Sequence, residues 1–370
     1  MKTSKGRVVV KLGSSTLTRG GRKLNRAHML EIVRSVHAMM EEGWEVALVS
    51  SGAMAAGREI MGFPKLPPEL RVKQMLSSAG QVRLFEIWAD LFDIYDLKTG
   101  QLLLTKADLE NRERYLNARD TLGALFEYGV VPVINENDAV STSEIKIGDN
   151  DTLAALIGVL AEAKLVILLT DQKGLYDADP RKDPNARLIR RVGKVDDSIL
   201  KLAGGAGSDL GTGGMLTKIR AAAIAQEAGV GLVIASGDRP QDLPALASGN
   251  GEGTYFTPSD HPSLSRKAWL SSATISQGVI TVDDGAAKAL EQHGSSLLPS
   301  GIRKVDGDFV RGATIDIADP SGKVIARGLS RYSSGELRLI AGAHSGDIER
   351  ILGFTHGDVA VHRDDLVLRQ

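Results

Sequence analysis

The sequence predicts a three-layer α/β domain around a mostly parallel sheet, followed by a small, mainly β C-terminal domain. Three observations carry this. Short runs rich in β-branched residues alternate with helical patterns through the first 258 residues, the spacing of parallel strands joined by helical crossovers. Those runs are apolar from end to end, as strands covered on both faces are. Beyond residue 276 the texture changes to short alternating runs separated by Gly and Asp turns. At 370 residues the chain is also longer than one core usually grows. We therefore expect a first domain over 1–258, a Pro- and Ser-rich linker over 259–275, and a second domain over 276–370.

Residues 8–12 form the first strand, and Lys11-Leu12-Gly13-Ser14-Ser15 opens a small-residue loop at its carboxyl end. Asn25 is placed to cap a helix whose Met29, Ile32, Val33, Val36, Met39 and Met40 share one face before Gly43 ends it. A second strand over 45–50 runs through Ser51-Gly52-Ala53 into another helix. Residues 61–68 break the pattern, 69–92 are helical again, 101–104 make a third strand, and 112–128 form an amphipathic helix. A fourth strand over 131–134 ends in Asn135, Glu136, Asn137 and Asp138, and a second polar burst, Asp149-Asn150-Asp151, opens a helix rich in Ala and Leu. The most apolar strand, 165–169, ends in Thr170-Asp171-Gln172-Lys173-Gly174. Residues 203–214 hold six glycines in twelve positions and lead into Met215-Leu216-Thr217-Lys218 and an alanine-rich helix. A strand over 231–235 and a turn over 251–256 close the domain, and strands of the second are expected at 313–317, 323–326 and 359–361.

Composition narrows the chemistry. An apolar share of 42% with 25% charged residues is that of a globular protein able to bury sizeable cores. A formal net charge of -1 gives no support for a nucleic-acid or membrane partner held by bulk charge. The absence of cysteine excludes disulfides, a thiolate nucleophile and cysteine-ligated metal, and fits a reducing cytosol. The basic N-terminus is followed by apolar residues only at 8–10, short of the roughly 7 of an export signal. No segment reaches the ~20 apolar residues of a membrane span. A cytoplasmic protein is expected.

In an open parallel sheet, ligands bind beyond the carboxyl ends of the strands. The polar or glycine-containing loops at 11–15, 50–53, 135–138 and 170–174 all leave such ends, and none of the seven histidines falls on them. Two of these loops run into helix N-termini, which present backbone N–H groups to an anion. There is no Gly-x-x-x-x-Gly-Lys-Ser/Thr and no Gly-x-Gly-x-x-Gly after the first strand, so a P-loop NTPase and a dinucleotide-binding half are both set aside. The glycine loop Gly211-Thr212-Gly213-Gly214-Met215-Leu216-Thr217-Lys218 is of another kind, with its lysine one turn into the following helix.

Six blocks in order resemble the amino-acid kinase family: Val-Val-Lys-Leu-Gly-Ser-Ser, Val-Ser-Ser-Gly-Ala, Ile-Asn-Glu-Asn-Asp, Gly-Asp-Asn-Asp, Leu-Thr-Asp-Gln-Lys-Gly-Leu-Tyr and Gly-Thr-Gly-Gly-Met-Leu-Thr-Lys. The segments Gly294-Ser295-Ser296-Leu297-Leu298-Pro299-Ser300-Gly301-Ile302 and Gly342-Ala343-His344-Ser345 resemble the PUA domain appended to some bacterial members, so the likeness covers nearly the whole chain.

The resemblance implies an amino-acid kinase fold and ATP-dependent phosphorylation of the γ-carboxylate of L-glutamate, the first step of proline biosynthesis. It assigns catalysis to Lys11, Lys218 and Asp151, the two lysines neutralising charge on the moving phosphoryl group and the aspartate orienting them. It assigns the amino acid to Ser51, Asn135, Asp138 and Asn150; a carboxylate such as Asp138 suits an ammonium, and the neutral groups suit a carboxylate. It assigns ATP to Lys11, Thr170, Asp171, Gly211, Thr212, Gly213, Gly214, Met215, Leu216, Thr217 and Lys218. No protein metal ligands are expected, because Mg2+ would be held mainly by ATP phosphates and water. The acceptor carboxylate, with a pKa near ~4.3, is already ionised at neutral pH and needs no general base. Feedback inhibition by proline, a following reductase as partner and a homo-oligomer, dimer or tetramer, are further implications. Two alternatives stay open at this point: a kinase for aspartate or N-acetylglutamate, and an RNA-associated PUA protein with an inactive kinase-like domain. Against RNA, residues 276–370 carry eleven Lys and Arg but thirteen Asp and Glu, and aromatics are only 4% of the chain.

Overall fold

The apolar run near the start of the chain becomes the middle of the sheet. In a computed structural model that describes residues 4–63, 65–67, 69–140, 150–180, 182–203, 214–259 and 276–368, β1 (Gly6–Leu12) is flanked by β2 (Trp44–Ser50) and β5 (Leu165–Thr170), both parallel to it. Val8, Val9, Val10 and Leu12 are fully buried, as strands with helices on both faces require. The sheet continues through β3 (Thr99–Leu104) and β4 (Val131–Glu136) on one side, and β6 (Arg191–Val192), β7 (Gly231–Ser236) and β8 (Thr254–Phe256) on the other, in the order β3-β4-β2-β1-β5-β7-β8-β6. All pairings are parallel except β7 with β8, which confirms the mostly parallel α/β class.

The register brings the carboxyl ends together. Leu12 pairs with Ser50 on one side and Leu169 on the other, while Val49 pairs with Ile134. Two details differ from the sequence reading. β4 runs two residues further than expected, so Asn135 and Glu136 belong to the strand and are buried at its end. Residues 254–256 are a strand, not part of a turn, because Leu232, Val233 and Ile234 give them an edge to pair with.

Helices cover both faces. Asn25 caps Arg26–Glu41 by accepting from the His28 N–H at 2.9 Å. Gly52 sits at φ +106°, a conformation L side chains avoid, and a Cβ there would also lie 3.1 Å from Leu17 Cδ1. It starts the helix Ala53–Ile60 directly from the end of β2. That helix touches Leu70–Asp93 backbone to backbone: a Cβ on Gly80 would lie 1.9 Å from the Ala53 carbonyl oxygen, and one on Gly57 2.0 Å from that of Leu76. The long helix is tied to β2 as well, with Trp88 Nε1 donating to Ser50 Oγ at 2.9 Å. Asn150–Leu160 packs on Met215–Glu227 through small buried residues, among them Ala154, Ala155, Ala221 and Ala222.

The chain divides into two compact units, the first comprising Met1–Leu109 and Thr121–Pro262, the second Glu110–Asp120 and Ser263–Gln370. The second holds an antiparallel and parallel sheet of β9 (Gly278–Val282), β10 (Ile302–Gly307), β11 (Thr314–Ala318), β12 (Val324–Leu329) and β13 (Leu366–Leu368), in the order β10-β9-β11-β12-β13. Its core is formed by Ile280, Val282, Leu290, Ile315, Ile317 and Tyr332. Within this unit Asp365, 1% exposed, accepts from Arg112 at 3.2 Å and Arg119 at 3.4 Å. Residues 359–361 form no strand; Val361 makes only an isolated bridge to Leu297. Of the linker read at 259–275, all but Ser259 lies outside the described residues. No helix among the described residues is long and apolar enough to cross a membrane.

Candidate active site

One carboxylate collects two lysines from distant parts of the chain. Asp151, in the first turn of its helix and 1% exposed, accepts from Lys11 Nζ at 2.6 Å through Oδ1 and from Lys218 Nζ at 3.1 Å through Oδ2. Thr217 Oγ1 donates to the same Oδ2 at 2.8 Å and also lies 2.8 Å from the Gly214 carbonyl. Lys11 is the penultimate residue of β1, while Lys218 sits in the first turn of the helix that begins at Met215, so strand end and helix start converge. Both lysines are 6% exposed or less. Burial alone would raise the Asp151 pKa, but the two ammonium groups and the hydrogen bonds from Lys11 and Thr217 outweigh it and hold the carboxyl below the usual range. The result is a buried cluster of two lysines on the two oxygens of one carboxylate.

Beside it lies a chain of amides. The Glu136 backbone N–H donates to Asn135 Oδ1 at 2.9 Å, and since a backbone N–H can only donate, this fixes which way the Asn135 amide faces. Asn135 Nδ2 then donates to Gln81 Oε1 at 2.8 Å. Asn150 Nδ2 donates to Asn135 Oδ1 at 2.9 Å and to Ser51 Oγ at 2.8 Å. Both N–H groups of Asn150 are thereby used, and its buried Oδ1 has no partner among the described residues. The sequence reading gave Asn150 to a carboxylate as a donor; the geometry makes its open atom an acceptor. Asp138, two residues past the end of β4, is half-buried; burial raises its carboxyl pKa, the neighbouring Ser77 hydroxyl opposing.

Gln81 is a site residue that the sequence reading missed: it lies on Leu70–Asp93 and supports Asn135. Ser77, one turn before it, adjoins Asp138, but its buried hydroxyl has no hydrogen-bond partner among the described residues. The only signal of Gln81 was negative: a polar position on a helix whose apolar pattern was otherwise accounted for.

Thr170 ends β5 and donates through Oγ1 to Asp171 Oδ1 at 2.9 Å. Gly214 precedes the helix that carries Met215, Leu216, Thr217 and Lys218. Gly211, Thr212 and Gly213 lie outside the described residues. The structure thus joins Lys11, Asp151, Thr217 and Lys218 in one cluster and Ser51, Asn135 and Asn150 in another, the two meeting at the neighbours Asn150 and Asp151.

A sequence profile described as the Amino acid kinase family matches residues 6–236, the span that holds both clusters. The chain belongs to the amino acid kinase family. A second profile, the PUA domain, matches 278–352. Among members of the family, a protein of Shewanella sediminis named "Glutamate 5-kinase" is 54% identical over 362 residues, covering 98% of this chain and 97% of its own. One of the same name from Aliivibrio salmonicida is 52% identical over 368 residues, the full length of both. Among solved structures of the fold, carbamate kinase from Giardia lamblia bound to AMP-PNP superposes with a TM-score of 0.51 at 15% identity, over 70% of this chain and all of its own.

Kinases of this family transfer phosphoryl groups from ATP, a reaction that generally uses Mg2+. No group of three or more His, Asp or Glu among the described residues is arranged to hold a metal ion. The lysine-rich cluster suits phosphate oxygens, which would themselves be the principal donors to such an ion.

Proposed function

We propose that this chain phosphorylates the γ-carboxylate of L-glutamate with ATP, giving L-glutamyl 5-phosphate at the start of proline biosynthesis. The observation that carries the reading is the buried pair of lysines on the two oxygens of Asp151, set beside the amide chain at Asn150. Relatives that span the whole chain are named for this activity, whereas neither aspartate or N-acetylglutamate kinases nor inactive RNA-associated proteins have a comparable observation in their favour.

The chemistry is an in-line displacement. A γ-carboxylate oxygen of glutamate attacks the γ-phosphorus of ATP, the new P–O bond forms as the bond to the β-phosphate oxygen breaks, and ADP leaves. No proton has to be moved, so the protein's work is positioning and charge. Lys11 and Lys218 supply positive charge to the phosphoryl oxygens in transit, and Asp151 fixes where their ammonium groups point. Thr217 locks the other side of that carboxylate. Mg2+, bound through the β- and γ-phosphates, would add charge neutralisation there. Asp138 takes the α-ammonium, while Ser51, Asn135 and Asn150 line the rest of the amino-acid site. Thr170, Asp171 and the residues from Gly211 to Lys218 hold the nucleotide.

Regulation and setting follow the same reading. Proline shares an α-carboxylate and a cationic nitrogen with glutamate and would compete for the Asp138 site as a feedback inhibitor. The acyl phosphate product is labile and would pass to a reductase. The resemblance to the family also carries a homo-oligomer, dimer or tetramer, into this reading. A cysteine-free enzyme of this kind fits the cytoplasm.

ADP release measured with glutamate, aspartate and N-acetylglutamate side by side tests the substrate. Turnover with glutamate well above the other two is expected, and equal or greater turnover with N-acetylglutamate, which has no free α-ammonium for Asp138, refutes it.

A further inference from the structure

The geometry points to Gln81 as a positioning residue of the amino-acid site, acting through two asparagines to present the Asn150 carbonyl oxygen to the substrate's α-ammonium. The inference rests on the acceptor reading above. Its starting point is an orientation that the backbone decides. The Glu136 N–H can only donate, so Asn135 must turn Oδ1 towards it and Nδ2 away. Nδ2 then needs an acceptor in a site where Asn135 is 3% exposed, and Gln81 Oε1 at 2.8 Å supplies it.

With Asn135 Oδ1 fixed, the next amide has no choice either. Asn150, 4% exposed, gives one N–H to Asn135 Oδ1 and the other to Ser51 Oγ. Its Oδ1 is left buried beside the cluster at Asp151 and without a partner among the described residues. A buried acceptor without a donor is costly, and an ammonium group with three N–H bonds meets that need at the moment of binding. Asp138 supplies the ionic partner for the same ammonium. Leu70–Asp93 therefore supports the asparagine side of an ammonium cradle through Gln81, although on this reading Gln81 does not touch the substrate. That helix is held rigidly enough to do so by its backbone contact at Gly80 and the Trp88 bond to Ser50.

The chemical consequence is a preference for a free amine. A substrate that brings N–H donors at the α-carbon satisfies Asn150; a 2-hydroxy or 2-oxo analogue of glutamate leaves it short of donors.

Steady-state kinetics on Gln81→Met and Gln81→Glu, with glutamate and ATP varied separately, test the assignment. Methionine fills a similar volume without an oxygen acceptor, whereas glutamate at this position keeps one. Q81M should raise the KM for glutamate on the order of tenfold and leave that for ATP within about twofold, and Q81E should recover most of the loss. An unchanged KM for glutamate in Q81M, a parallel rise in both KM values, or equal losses in the two variants would overturn the role of Gln81. Gln81→Ala, which keeps a strong helix former and removes the acceptor, gives the same reading if Q81M does not fold. Wild-type protein run alongside separates the two levels: no glutamate-dependent turnover there refutes the acceptor site itself, while normal wild-type turnover with an unaltered Q81M refutes only the positioning role.

Discussion

Lys11 Nζ lies 2.6 Å from Asp151 Oδ1, across 140 residues of sequence and with both side chains at most 7% exposed. An aspartate held below its ordinary pKa in the folded state stabilises the fold above its unfolded value of about 3.9, and loses that contribution as pH falls through the folded value. Asp151→Asn removes the buried carboxylate that both lysines share, so a cost of about 3 kcal/mol is expected at neutral pH. Urea unfolding of the two proteins should show this gap narrowing below about pH 4, because only the wild type has a carboxylate there to protonate. A gap that stays constant with pH would mean that Asp151 is not the ionised centre described.

Lys218 meets the other oxygen of that carboxylate at 3.1 Å. If its charge is needed chiefly while the phosphoryl group is in flight, Lys218→Ala should lower kcat by about 100-fold or more and raise the KM for glutamate by only a few-fold. The opposite division, a large KM change with kcat retained, would make it a binding residue alone.

Asp138 titrates above the ordinary carboxylate range because burial disfavours its charged form, and only the ionised form can hold an ammonium. The acid limb of kcat/KM for glutamate should therefore begin at a higher pH in the wild type than in Asp138→Asn. Removing the Asp138 carboxyl should move the limb down towards the groups that remain, among them the substrate's own γ-carboxylate, near ~4.3. Superimposable limbs would contradict the assignment, and so would a KM for glutamate that D138N leaves unchanged.

Gly80 has no space for a methyl group: its Cβ would overlap the Ala53 carbonyl and lie 2.3 Å from the Gly57 nitrogen. Gly80→Ala must push two helices apart, one starting at the Ser51-Gly52 turn and the other carrying Ser77 and Gln81. We expect a loss of about 3 kcal/mol in thermal or denaturant unfolding, at the upper end of overpacking costs, with a raised KM for glutamate in whatever folds. A neutral substitution would show that this contact is not tight.

Much of this was legible because it is local. The six longer strands of the first sheet announced themselves as apolar runs, and the loops at 11–15, 50–53 and 135–138 sat at strand ends whatever their partners were. The sequence could not tell that β4 continues through Asn135 and Glu136, since strand length there is set by pairing with Leu103 and Leu104 of β3. Residues 254–256 looked like a turn for the same reason: a three-residue strand exists only because β7 offers an edge. Gln81 was invisible because its partner Asn135 is more than fifty residues away, and the Gly57–Gly80 contact because glycines inside helices carry no pattern of their own. The burst at 135–151 was visible from the start, but its division between an amide chain and a charged triad is decided by which neighbour each side chain faces.

The most direct measurement is trapping of the product. Wild-type protein incubated with ATP, Mg2+, L-glutamate and hydroxylamine should form γ-glutamyl hydroxamate in step with ADP, and formation should stop when glutamate or Mg2+ is withheld. ADP released without hydroxamate, or hydroxamate formed equally well by Asp151→Asn, would contradict a glutamate kinase that works through the Lys11, Asp151 and Lys218 centre.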